Sequence, residues 1–296
     1  MIVDCHTHIM WYPDHLDERF AQEALAAKLV KLRHSGGEAY AASLDLHCSD
    51  SKPEEHWKAS APADRVIVFG LQAKATGIWV PNELIADYVG QHPEKLEGWA
   101  SVDPNEPDCV EQLTYCVEEL GLKGLKLGPV YQHFDPQDRK HWLLFKRCEE
   151  LELPIMWHQG TTFPSRARLK WSRPLQLEDI AMDFPDLKMI IAHLGHPWEE
   201  DTVALIRKCP NVYSDISALH YRPWRYWQAM VTALEYGVAH KLLLASDFPS
   251  GTIANVINGL RNVNKPIEGT NLPHIPTEIQ DQIIYENWKG FFAKWA

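Results

Sequence analysis

The chain opens Met1-Ile2-Val3-Asp4-Cys5-His6-Thr7-His8. Apolar residues lead into two histidines at i and i+2, a spacing that puts both imidazoles on one face at the tip of a buried strand. Neutral imidazoles are common ligands for divalent transition metals, and a strand end holds two of them rigidly at one point in space. Two surface histidines at a strand terminus would look the same in isolation. The context recurs, however: His158, His193 and Asp247 also sit at the ends of apolar runs. Cys5 lies between the motif residues, and strand alternation points it opposite to His6, as a packed core residue rather than a ligand.

Working outward, the chain keeps one beat of apolar run and helical pattern. Strands are expected at Met1 to Val3, Arg65 to Gly70, Leu96 to Val102, Gly124 to Leu127, Pro154 to His158, Leu187 to His193, Asn211 to Asp215 and Leu242 to Ala245. Between them, Phe20 to Leu32, ended by Gly36-Gly37, and Leu84 to Val89 read as helices. So does a stretch capped by Asp108 with Glu111 three residues on, stopped by Gly121. Arg139 to Leu151, Leu175 to Met182, Val203 to Cys209, Trp227 to Tyr236 and a last helix, capped by Thr277 and running through Phe291, follow. Ala39 to Ala63 reads as an irregular polar excursion. Eight strands separated by helices is the count of a (β/α)8 TIM barrel, whose active site lies at the C-terminal strand ends. His6, His8, Lys126, His158, His193 and Asp247 all fall there.

Composition narrows the function. With 296 residues, 45% hydrophobic and 23% charged, residues 1–296 are expected to form one barrel domain. A formal charge of -11 argues against nucleic acid or an anionic membrane as a partner and for a small-molecule substrate. No basic segment followed by an apolar one opens the chain, and no apolar run approaches membrane-spanning length, so a cytoplasmic location is expected. The 6 cysteines lack a C-x-x-C pair and read as reduced, mostly buried thiols. Apolar positions on the outer helices suit a homo-oligomer interface and ordinary helix packing equally well.

Val3-Asp4-Cys5-His6-Thr7-His8, Lys123-Gly124-Leu125-Lys126-Leu127, Trp157-His158-Gln159-Gly160, Ile191-Ala192-His193-Leu194-Gly195 and Ala245-Ser246-Asp247-Phe248-Pro249 together resemble the amidohydrolase superfamily. The closest likeness is to its amidohydrolase-2 branch of lactonases, other hydrolases and aminocarboxymuconate-semialdehyde decarboxylase-like enzymes. The resemblance implies one divalent metal, zinc foremost with manganese or iron as alternatives, held by His6, His8, His158 and Asp247. His193 is implied as a further ligand or a proton-transfer group. Lys126 is implied as a partner of a substrate carboxylate, a solvated lysine, or a carboxylated bridge between two metals.

The chemistry then expected is hydrolysis of a small, carboxylate-bearing lactone, amide or ester by metal-activated water, with Asp247 moving the proton and His193 polarising the carbonyl. The alternative is non-oxidative decarboxylation of an unsaturated or aromatic acid. In the familiar decarboxylases an acidic residue often follows the strand-six motif closely, whereas here His196-Pro197-Trp198 precedes Glu199. A metal-binding or metabolite-sensing barrel without turnover is the reading from another class. Arg166, Arg168, Arg222 and Arg225, in loops at the expected active-site rim, are candidates for a substrate carboxylate or plain surface cations. Trp11, Trp157, Trp198, Trp224 and Tyr131 are candidates for an aromatic wall or for core packing.

Overall fold

The computed structural model describes residues 1–35 and 38–295, so the expected stop at Gly36-Gly37 lies outside the described residues. Eight parallel strands carry the architecture: β1 (Val3–His8), β2 (Arg65–Phe69), β3 (Leu96–Trp99), β4 (Leu125–Leu127), β5 (Ile155–Trp157), β6 (Met189–Ile191), β7 (Val212–Asp215) and β8 (Leu242–Leu243). β1, β2 and β3 pair in sequence, as do β4 to β8. Backbone hydrogen bonds cross both remaining seams. Ala100, just past β3, donates to the Gly124 carbonyl at 2.8 Å and accepts from Lys126 N–H at 2.7 Å. Beyond β8, Leu244 O accepts from Cys5 N–H at 3.2 Å, Asp247 N–H donates to His6 O at 2.8 Å, and Phe248 O accepts from His8 N–H at 2.9 Å. The strand order is circular, as in the (β/α)8 TIM barrel.

Two apolar cores flank this wall of strands. The larger lies between strands and outer helices and takes Val66, Val68, Leu125, Leu127, Ile155, Trp157, Met189 and Ile191. The smaller fills the barrel with Val3, Cys5, Ile67, Phe69, Trp99, Met156, Ile190 and Leu243, closed by Trp288, Phe291 and Phe292 of the C-terminal segment. Alternation along each strand feeds the two cores, which is why these short strands read as continuous apolar runs. Truncating a buried Trp or Phe of the inner core to Ala would cost about 3–5 kcal/mol.

Three local expectations are corrected. The excursion through Ala39 to Ala63 contains a helix, Pro53–Ala59, with Pro53 at its first position. Asp108 makes no side-chain cap to its helix, Cys109–Glu118; its carboxylate accepts from Gln112 Nε2 at 2.8 Å instead. The last helix is two, Thr277–Tyr285 and Trp288–Phe291, with Pro276 rather than Thr277 in the capping position. Further elements were not expected, among them an antiparallel pair, Gln72–Ala73 with Ile78–Trp79, and helix Ile253–Arg261, capped by Thr252, whose side chain accepts from Asn255 N–H. No helix among the described residues is long and apolar enough to cross a membrane.

Candidate active site

A bulge in β1 sets the site. Asp4 pairs with Val66 and Thr7 with Val68, so Cys5 and His6 together face the single residue Ile67. Cys5 therefore does not point opposite to His6 as alternation required. Cys5 remains a buried residue of the inner core, while the His6 ring lies 5.1 Å from that of Phe69 in the same core. Thr7, between the two histidines, turns to the other face. Its hydroxyl donates to Ile67 O at 2.6 Å and meets His56 Nε2 at 2.8 Å; His56 Nδ1 meets the Tyr88 hydroxyl at 2.8 Å. Asp4 anchors the opposite seam, accepting from Ser246 N–H at 2.8 Å, next to Asp247.

The strand ends bring the expected groups together. His6 Nε2 and His8 Nε2 lie 3.1 Å apart, and Asp247 Oδ1 lies 3.3 Å from the first and 3.5 Å from the second. His6, His193 and Asp247 also present one ligand atom each within 4.8 Å of one another. The His193 ring stacks on His6 at 5.1 Å and meets His158 edge-on at 5.2 Å. His193 (φ 57°) and Asp247 (φ 55°) both hold left-handed backbone conformations, which cost non-glycine residues about 1–3 kcal/mol and concentrate at functional sites.

Asp215, at the end of β7, is the organiser that the sequence reading passed over. Its Oδ2 accepts from His6 Nδ1 at 2.8 Å, and its Oδ1 accepts from the backbone N–H of His193 at 2.9 Å and of Ser217 at 3.0 Å. The Ser217 hydroxyl donates to Asp215 and receives His193 Nδ1–H at 2.6 Å. With both Nδ1 atoms holding protons against acceptors, the Nε2 lone pairs of His6 and His193 are left for the site. Its signal was present: Asp215 ends an apolar run just as Asp247 does.

Protonation follows from burial. Burial, then the Lys126 charge, holds His6 well below the usual imidazole range; burial and His193 do the same for His158. Burial lowers His8 and brings His193 down to about 4. Burial works to raise Asp247, but the surrounding histidines outweigh it and keep the carboxyl well below its ordinary value. Lys126 is 1% exposed, which removes the solvated-lysine reading. Its Nζ lies 3.2 Å from His6 Nε2, and burial lowers it to about 8.

This donor set fits a divalent cation. Tetrahedral bonds of about 2.0–2.1 Å put neighbouring ligand atoms about 3.3 Å apart, the spacing of His6, His8 and Asp247. His158 Nε2 is buried without a hydrogen-bond partner, as a nitrogen awaiting a ligand would be.

The expected substrate contacts fare unevenly. Arg222 stays at the rim, its guanidinium 4.4 Å from the Tyr221 ring and donating to Ala218 O. Arg166 is a correction: its guanidinium grips Asp17 through two bonds of 2.7 Å and donates to Thr76 O, so its fork is spent on the fold. Arg225 is committed to Glu199 and Pro197 O. Trp198 is also corrected, since it lies under Arg173 and lines an outer cavity with Glu199, Asp201 and Arg225. Arg168 is exposed and meets the structure through its backbone N–H to Val130 O. Of the aromatic wall, Tyr131 reaches the cluster, its ring 4.8 Å from His158; Trp157 is buried in the outer core and Trp224 is exposed.

Comparison with known proteins places this geometry. Comparison with curated protein sequences finds no match. Among solved structures, an uncharacterized TIM-barrel protein from Bordetella bronchiseptica superposes with TM-score 0.72 at 18% identity, covering 99% of this chain and 98% of that one. A probable 2-pyrone-4,6-dicarboxylic acid hydrolase from Acinetobacter baumannii, solved with citric acid, gives 0.65 at 15% identity over 99% of both chains. A dihydroxybenzoic acid decarboxylase from Polaromonas, solved with manganese and an inhibitor, gives 0.65 at 15% identity over 100% and 97%. At these identities the likeness establishes the fold. The sequence profile of the amidohydrolase family matches residues 3–287, and the chain belongs to that family, in its amidohydrolase-2 branch of hydrolases and decarboxylases.

Proposed function

We propose that residues 1–296 form one barrel domain whose cluster of His6, His8, His158, His193 and Asp247 is the active site of a metal-dependent hydrolase for a small lactone, amide or ester. The observation that carries this reading is the meeting of imidazole nitrogens with an ionised carboxylate at ligand-to-ligand spacing, 3.1–3.5 Å across His6, His8 and Asp247. His6, His8, His158 and Asp247 would hold one divalent cation, and a set this rich in imidazole suits zinc. When bound, the cation supplies Lewis acidity, polarising a substrate oxygen and lowering the pKa of water to about 7.

The side chains supply the rest. Asp247, as carboxylate, takes the proton of the attacking water at an Oδ atom and returns it to the leaving oxygen or nitrogen. His193 keeps an Nε2 lone pair facing the site because Ser217 and Asp215 fix the proton on Nδ1, so it serves as a further ligand or takes up a proton, and stabilising the oxyanion that develops on the carbonyl falls to positive charge nearby. The Lys126 ammonium adds positive charge beside that oxygen.

A second reading, non-oxidative decarboxylation of an unsaturated or aromatic acid, draws support from the same chain of His193, Ser217 and Asp215, which would ready His193 to deliver a proton to carbon. Elemental analysis of protein purified without added metal, beside a His6→Ala/His8→Ala variant, tests both. About one equivalent of metal, lost in the variant, with acid release from lactones or esters, supports hydrolysis. Carbon dioxide release from a candidate acid without consumption of water puts the second reading first. No metal in either protein, and no gain on reconstitution, overturns both.

A further inference from the structure

At the rim of the cluster, two cations share one aromatic ring. Lys31 Nζ, from helix Glu18–Ser35, lies 3.0 Å from the centroid of Tyr221, and the Arg222 guanidinium lies 4.4 Å from it. Like charges held this close repel, and among the described residues neither meets a carboxylate. The chain's acidic residues nonetheless outnumber its Lys and Arg, 40 to 29. Several other loop cations do have carboxylate partners: Arg166 with Asp17 at 2.7 Å, Arg173 with Asp201 at 2.7 Å, Lys74 with Glu106 at 3.0 Å. Beside the pair, His220 sits 4.8 Å from Tyr221 ring to ring, and its Nδ1 is buried without a partner. The loop after β8 touches this group: a Cβ on Gly251 would lie 2.6 Å from His220 Cε1.

The group faces the reaction centre. The same Cβ on Gly251 would lie 3.2 Å from the carbonyl oxygen of Ser246, the residue before Asp247.

We propose that Lys31 and Arg222, both seated on Tyr221, form a subsite for a carboxylate of the substrate, so that the substrate is an acid carrying one carboxylate remote from the bond that breaks. Arg222 offers a planar fork and Lys31 a point charge, with His220 Nδ1 as a further polar contact. The proposal rests on reading the Asp247 cluster as the reaction centre.

Calorimetric titration with isophthalate, a non-reacting dicarboxylate, tests it. Lys31→Met and Arg222→Met are each expected to weaken isophthalate about ten- to hundred-fold, the contribution of a charged hydrogen bond, while Lys31→Arg stays near the parent and all three keep its unfolding temperature. Undiminished affinity in both Met variants, or no binding to the parent at millimolar isophthalate, overturns the subsite. The His6→Ala/His8→Ala variant separates the two ideas. Isophthalate binding that survives there but falls with Lys31→Met leaves the subsite standing even if no metal or turnover is found.

Discussion

Two buried lysines sit at opposite ends of the barrel, and their surroundings differ in kind. Lys241, 8% exposed at the entrance to β8, donates to four carbonyls, those of Ile206 and Cys209 at 2.8 Å and of Pro210 and Val212 at 3.1 Å. Asn211 and Asn287 serve the same end, donating to three and two carbonyls. There a charge closes the backbone's hydrogen bonding. Lys126, at the other end, faces a ring nitrogen and lies near carboxylates it does not pair with. Near it His8 Nδ1 and His158 Nε2 lack partners. One end spends its polar groups on the fold, while the other holds them for something that arrives.

Substitutions can break that contrast. Asp247→Asn carries the largest expected effect, a fall in kcat of about 10²–10⁴-fold with unfolding unchanged, since Asn tolerates the left-handed backbone there; steady-state kinetics beside thermal melts would show it. Lys241→Met should lower stability by about 3 kcal/mol or more, because four carbonyls lose a charged donor, and leave kcat of the folded enzyme intact. A denaturant titration in which it unfolds like the parent would dissolve the comparison. Lys126→Met should do the reverse, with kcat down about 10²-fold and stability equal or higher by about 1 kcal/mol, as a buried charge without a full set of partners is removed.

The smallest effect concerns pH. Burial lowers His56 to about 3 from an ordinary 6.5, so between those values the unfolded chain takes up a proton that the native one refuses. Stability is therefore full above pH 6.5 and declines as pH falls toward 3. In His56→Gln the slope of unfolding free energy should lessen by up to about 1.4 kcal/mol per pH unit. An unchanged slope would show that His56 is not held neutral against β1.

The barrel could be read because apolar runs and helical spacing are local signals: all eight expected strands appear, the first displaced to Val3–His8 and the others shortened where the chain turns out of the sheet, as at His193 and Leu194 (φ 57° and 50°). The histidines and Asp247 were legible for the same reason, each closing such a run. What escaped was partnership at a distance. Arg166 and Asp17 are separated by 149 residues and His6 and Asp215 by 209, and no spacing rule reports them. Nor could sequence distinguish Lys126, buried against His6, from a solvated lysine, or tell His220 and His56 from surface histidines. The bulge at Cys5 and His6 was hidden because either register gives the same apolar pattern.

That bulge makes β1 two strands in effect. Val3 and Cys5 follow the register of the inner core, while Thr7 and His8 follow a register one residue later. For protein engineering the two halves are separately editable. Volume can be redistributed among Val3, Ile67 and Trp99 to stiffen the barrel floor, and the extra residue absorbs small shifts before they reach His8.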